Sequence, residues 1–187
     1  MQTVKLIEIC SVISRGFNYA RSEISEDKFC GYSVPQIGFS DIHEDGTFNT
    51  DNQIVFIRKS IANNYLVSNK DVILPPTTTA LPQAKGIKKD GVMLEKFVYS
   101  QNAVIIRLEE NAPITNFELI KLLNTPKIQT RLLEEVYTGK RVKSVSIEKL
   151  RNFEIPLPTK EQKEILQKLL NCEQELYTLN KQLEQTI

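Results

Sequence analysis

The last 29 residues, Thr159 to Ile187, constrain this chain more than any other segment. Thr159-x-x-Gln162 is a capping box, in which two side chains satisfy the first free backbone donors of a helix. Behind it Ile165, Leu169, Cys172, Leu176, Leu179 and Leu183 recur at spacings of 4, 3, 4, 3 and 4, which is a heptad seam. At 1.5 Å per residue the fully helical segment is a rod of about 43 Å. Burying its five Ile and Leu side chains is worth about 8–15 kcal/mol gross, so the seam predicts a partner helix. The competing arrangement folds the helix back on its own domain, but Pro156 and Pro158 interrupt the chain just before it and should aim the rod away.

Ahead of the helix the pattern is that of one globular domain, expected over residues 1–155, with the helical element over 156–187. Hydrophobic residues are 41% and charged residues 25% of the chain, a balance that folds rather than stays disordered. Apolar positions between Val4 and Ile13 fit a short strand followed by a helical turn, closed by Arg15-Gly16. From Cys30 to Leu108 short β-type runs follow one another: Tyr32–Ile37, Gln53–Ile57, Val72–Leu74, Phe97–Tyr99 and Ala103–Leu108. Asp45-Gly46 and Asp90-Gly91 are turn signals between them. Thr115-x-x-Glu118 then caps one helix and Thr125-Pro126 opens a second, which Gly139 ends. Ser146 caps a single turn before the extended Phe153–Pro158. The expected fold class is therefore α+β: a β-rich domain with short helices, followed by a long coiled-coil helix.

Catalytic chemistry has little to build on. His43, the only histidine, lies in a turn-like stretch and reads as solvated. Cys10, Cys30 and Cys172 are odd in number and widely spaced, which suits reduced structural thiols and no metal site. Phosphate-loop and dinucleotide fingerprints are missing. Leu74-Pro75-Pro76-Thr77 is near the Pro-Pro tetrapeptide of amino-methyltransferases, but both outer residues are wrong, and a turn after a strand is the preferred reading. No cofactor is expected. Glu8 interrupts any signal-peptide core, and no apolar run reaches a membrane-spanning length, so a cytoplasmic location is expected.

The segment Thr138 to Ile165, with its Gly139 turn, Phe153-Glu154-Ile155-Pro156-Leu157-Pro158 and the Glu161-Gln162 helix opening, resembles the specificity subunits of type I restriction-modification systems. More loosely, Val4-Lys5-Leu6 to Arg15-Gly16 resembles the family's domain opening, and Asn69-Lys70-Asp71-Val72-Ile73-Leu74 its Gly-Asp-Ile-Leu strand, with Lys70 where glycine is common. Pro75 to Ala80 replaces a small-residue turn, and one recognition domain and one conserved helix stand where full-length members have two of each. The resemblance implies a non-catalytic target recognition domain for double-stranded DNA. It also implies an antiparallel helical spacer formed by a homodimer, with methyltransferase subunits, and in some assemblies a restriction subunit, around it.

Reading DNA takes cations for phosphates and polar side chains for base edges. The candidates are Arg15, Asn18 and Arg21 in the first loop, Gln36 in a strand, Thr77, Thr78, Thr79, Gln83, Lys85, Lys88 and Lys89 in a long central loop, and the basic cluster Lys140, Arg141 and Lys143. The net charge of +1 gives no broad positive field, so the chain alone should hold DNA weakly. A protein-interaction adaptor that dimerises through the same helix is the competing reading.

Overall fold

The computed structural model describes residues 2–18, 32–48, 54–57, 62–88 and 94–186. Cys30 and the Asp90-Gly91 turn signal lie outside them. In chain order the elements are β1 (Thr3–Lys5), β2 (Cys10–Arg15), β3 (Tyr32–Ile37), β4 (Ile54–Ile57), β5 (Asp71–Leu74), β6 (Thr77–Thr78), β7 (Lys85–Gly86), β8 (Val98–Tyr99) and β9 (Val104–Leu108). Then come α1 (Asn116–Leu123), α2 (Pro126–Arg131, continued as a π-helical turn over Leu132–Val136), β10 (Tyr137–Thr138), β11 (Lys143–Val145), α3 (Ile147–Arg151), β12 (Glu154–Pro156) and α4 (Lys160–Thr186). The α+β class and the long final helix are as the sequence predicts.

The organising sheet is antiparallel, in the order β2-β9-β5-β7. Its two inner strands are apolar at consecutive positions because both faces are covered, and alternate side chains serve different cores. Val72, Leu74, Val104 and Ile106 face a core completed by Leu6, Leu119, Leu123, Leu132 and Ile155. Ile73 and Ile105 face a second core with Ile37, Ile42, Phe97 and Tyr99. The sheet β4-β3-β8 flanks that second core.

Beside Tyr99 of the second core Asp71 is fully buried. Its carboxylate accepts from Arg107 Nε at 2.6 Å and Nη2 at 3.0 Å, from the Tyr99 hydroxyl at 2.9 Å and from the Ser68 amide at 2.8 Å. Four donors replace the water that burial removes.

Two local expectations are revised and a third holds. The stretch Val4–Ile13 is strand, 3-10 turn (Leu6–Glu8) and second strand, because β1 pairs with β12 whereas β2 pairs with β9. The helix after Pro126 ends at Val136, and Gly139, at φ 131°, instead turns β10 into β11. Asp45-Gly46 does form a turn, with Gly46 at φ 87° and a bridge between Ile42 and Phe48.

The chain ends tie the helix to the domain. β1 lies against β12, and the Leu157 amide donates to the Gln2 carbonyl at 2.9 Å. The capping box forms, with the Thr159 amide donating to Gln162 Oε1 at 2.9 Å and the Gln162 amide to Thr159 Oγ1 at 3.3 Å. The rod is not aimed away from the domain. Lys163 donates to the Pro113 carbonyl at 2.6 Å, Lys121 of α1 pairs with Glu173 at 2.6 Å, and the Lys88 ammonium sits 4.4 Å from the Tyr177 ring centre. Residues 163, 173 and 177 of these contacts fall on one stripe with the half-buried Leu166 and Leu170, a stripe with its own helical spacing. The heptad seam is a different stripe and stays open: Ile165, Leu176, Leu179 and Leu183 are 59–61% exposed and Leu169 is 41% exposed.

Candidate nucleic-acid interface

The sequence-derived candidates fall into three places. The first is a three-stranded sheet in the order β10-β11-β6. Lys143 pairs with Thr78 and Ser144 with Thr77 across β11 and β6, and the Arg15 guanidinium at the end of β2 donates to the Val145 carbonyl at 3.5 Å. The fold thus gathers Arg15, Thr77, Thr78, Thr79, Lys140, Arg141 and Lys143 from three separated stretches of sequence.

The root of this hairpin is held firmly. Tyr137 is buried and its hydroxyl donates to the Pro75 carbonyl at 2.6 Å, and burial pushes its pKa up. A side chain at Gly139 would meet the Val142 carbonyl. Lys143 donates to the Leu133 carbonyl at 3.2 Å, so its ammonium is partly spent on the fold. The tip is different. Lys140 and Arg141 are exposed and have no hydrogen-bond or ion-pair partner among the described residues. Two unneutralised cations on a rigid turn, beside the hydroxyls of Thr77 and Thr138, suit phosphate contact with neighbouring polar readout.

The second place is a cleft of 760 Å³ between residues 83–88, α1 and α4. Residues 82–88 are clamped rather than looped. The Ala84 amide and carbonyl pair with the Asn124 side chain at 2.7 and 2.9 Å, and Gln129 Nε2 donates to the Pro82 carbonyl at 3.1 Å. Lys85 donates to the Ile42 carbonyl at 2.6 Å and the Phe39 carbonyl at 3.3 Å, and stacks 4.3 Å from the Phe39 ring centre. Lys88 is on Tyr177, and Gln83 is exposed at the edge. The sequence spacing offered one signal for this cleft that a reading confined to the seam passes over, the stripe Leu166, Leu170 and Tyr177.

The third place holds Asn18, exposed beside the Phe17–Ser100 bridge, and Gln36 in β3, half-buried with a buried Nε2 that has no hydrogen-bond partner. Arg21 and Lys89 lie outside the described residues. His43 is exposed, as its turn predicts. Burial, and then the charge of Glu109, push the Cys10 thiol up to about 12, which leaves it without nucleophilic thiolate near neutrality. Among the described residues no group of His, Cys, Asp and Glu could hold a metal ion, and no helix is long and apolar enough to cross a membrane.

A β-rich domain that displays cations on a fixed hairpin and carries a long helix with an open seam defines a binding module. Residues 1–187 match the type I restriction modification DNA specificity domain family, and the chain belongs to that family. Solved structures share the fold. The type I restriction-modification system S subunit from M. genitalium superposes with a TM-score of 0.56 at 14% identity, over 98% of this chain and 41% of that one. The HsdS subunit from Thermoanaerobacter tengcongensis gives 0.61 at 18% identity, over 96% of this chain and 44% of that one. A chain from a type I R-M system solved to study complex assembly and conformational transition gives 0.63 at 18% identity, over 99% and 45%. The chain therefore spans less than half the length of the chains it matches. No curated protein matches the sequence.

Proposed function

We propose that this chain reads one half of a bipartite DNA target for a type I restriction-modification methyltransferase, through the domain of residues 1–155. The helical element expected over residues 156–187, which contains α4, pairs with a second copy and sets the distance between two half-sites. The observation that carries this reading is the hairpin tip, where Lys140 and Arg141 stand exposed and without a partner among the described residues, over a sheet that also presents Thr77 and Thr78. The open seam of α4 supports the pairing. A symmetric pair should read an inverted repeat with a fixed gap.

Whole-genome methylation mapping in cells with and without this chain tests the proposal. Loss of one bipartite motif is the expected result, and loss of a single unrepeated site would count against the homodimer. A protein-adaptor reading gains support from one place only, the clamped 82–88 segment, whose Lys85 and Lys88 are engaged by the protein itself. Alanines at Gln83, Lys85 and Lys88 separate the two: an altered methylated sequence favours DNA reading, whereas an unchanged sequence with lost complex formation favours the adaptor.

A further inference from the structure

The sheet β10-β11-β6 has two faces of opposite character. Tyr137 of β10 stands opposite Val145 of β11, and both are buried, so their face looks inward. Directly opposite residues share a face, and successive residues of a strand alternate between faces. The next row, Thr138 of β10, Ser144 of β11 and Thr77 of β6, therefore looks outward. Its three hydroxyls stand abreast over two strand spacings, about 10 Å. Those of Thr77 and Ser144 have no hydrogen-bond partner among the described residues, and that of Thr138 reaches only the Ser144 carbonyl, at 3.4 Å. Two residues before Ser144, at the hairpin tip, Val142 is 57% exposed. A lone exposed valine on a loose turn would mean little, but this turn is fixed. Besides the Tyr137 and Gly139 constraints, the Val145 amide donates to the Pro76 carbonyl and the Ser146 amide to the Val136 carbonyl, each at 3.0 Å.

We propose that Val142 recognises the C5-methyl group of a thymine in the half-site, carried into the major groove by the β10-β11 hairpin. The proposal rests on the DNA-reading function above and names the base read at one position. Charge selects the partner, since Lys140 and Arg141, exposed and without partners among the described residues, favour a polyanion. Width selects the groove: the major groove, about 12 Å across, admits a two-stranded β-ribbon, whereas the minor groove, about 6 Å across, is narrower than the hydroxyl row. Chemistry selects the base, because the thymine methyl is the one apolar group that base edges present in the major groove. Hydroxyls both donate and accept, so Thr138 and Ser144 suit any neighbouring pair and leave the choice to Val142.

Deoxyuridine in place of thymine removes that methyl and keeps the base pair, which makes a direct test. The probe is a duplex carrying the motif found by methylation mapping, with each half-site thymine on either strand replaced in turn. Its binding to the chain assembled with its methyltransferase subunit is followed by fluorescence anisotropy. One replacement should weaken wild-type binding about fourfold, the worth of one buried methyl group. Val142→Ala should weaken binding to the unmodified duplex by at least as much and lose sensitivity to that one replacement, so that the two changes are not additive. Because Val142 is exposed, the alanine chain should melt as the wild type does. A half-site without an A·T pair, a wild-type complex indifferent to every replacement, or an alanine chain that keeps the full sensitivity overturns the assignment and leaves DNA reading standing. An alanine chain that no longer assembles with the methyltransferase places Val142 at a protein contact and overturns it too. If no methylated motif depends on this chain, the DNA-reading function fails, and the methyl contact fails with it.

Discussion

Asp71 is fully buried, and its carboxylate gathers donors from Arg107, Tyr99 and Ser68. Removing it would strand the Arg107 guanidinium and the Tyr99 hydroxyl among apolar residues. Asp71→Ala should therefore cost about 3–5 kcal/mol, the range for breaking a buried ion pair from one side, read as a lowered midpoint in denaturant unfolding. Alkaline pH provides a second residue-scale test. Cys10 is raised from an ordinary 9.0 to about 12, by burial first and the Glu109 charge second. Burial raises Tyr99, with the Asp71 charge adding to it, and burial raises Tyr137. Each folded-state pKa lies above its unfolded value, so these contributions are complete below the ordinary pKa and are lost as pH climbs through the raised one. Stability should fall from about pH 9 upward, and Cys10→Ala should remove the earliest part of that fall in a pH-resolved thermal melt.

At the scale of elements, α4 carries two stripes that share one helix but not one purpose. Leu176→Glu and Leu179→Glu together should abolish pairing by light scattering while the domain melts as before, since neither residue touches it. The stripe at 166, 170 and 177 is weaker in sequence, because a helix docked by a few side chains and three lysine contacts needs no full hydrophobic face. The α1 capping box is the better-read element. Thr115 Oγ1 accepts from the Glu118 amide and Glu118 from the Thr115 amide, and Thr115→Ala should cost about 1 kcal/mol in the same unfolding assay.

For the whole molecule, a net charge of +1 gives no broad positive field, so under the proposed function each cation at the hairpin tip should matter. Lys140→Ala and Arg141→Ala should each reduce the slope of log affinity against log salt by about 1 if that cation contacts phosphate. Fluorescence anisotropy of the assembled complex across a salt series would measure it. An unchanged slope would move the phosphate contacts elsewhere.

The sequence by itself determined the long helix, its seam, its capping box, the apolar inner strands and the family-like run from Gly139 to Gln162, because each is a local pattern of spacing and turn chemistry. Tertiary structure alone decided which candidates share a surface. Arg15, Thr77 and Lys140 come together only because β6 pairs with β11 and β2 ends beside Val145. Lys85 and Lys88 read locally as free loop cations, yet carbonyls of Phe39 and Ile42 and the ring of Tyr177, all remote in sequence, take them up. The same holds for the direction of α4. Its prolines end the domain, but long-range contacts at Pro113, Lys121 and Lys88 turn one face inward and leave the seam exposed.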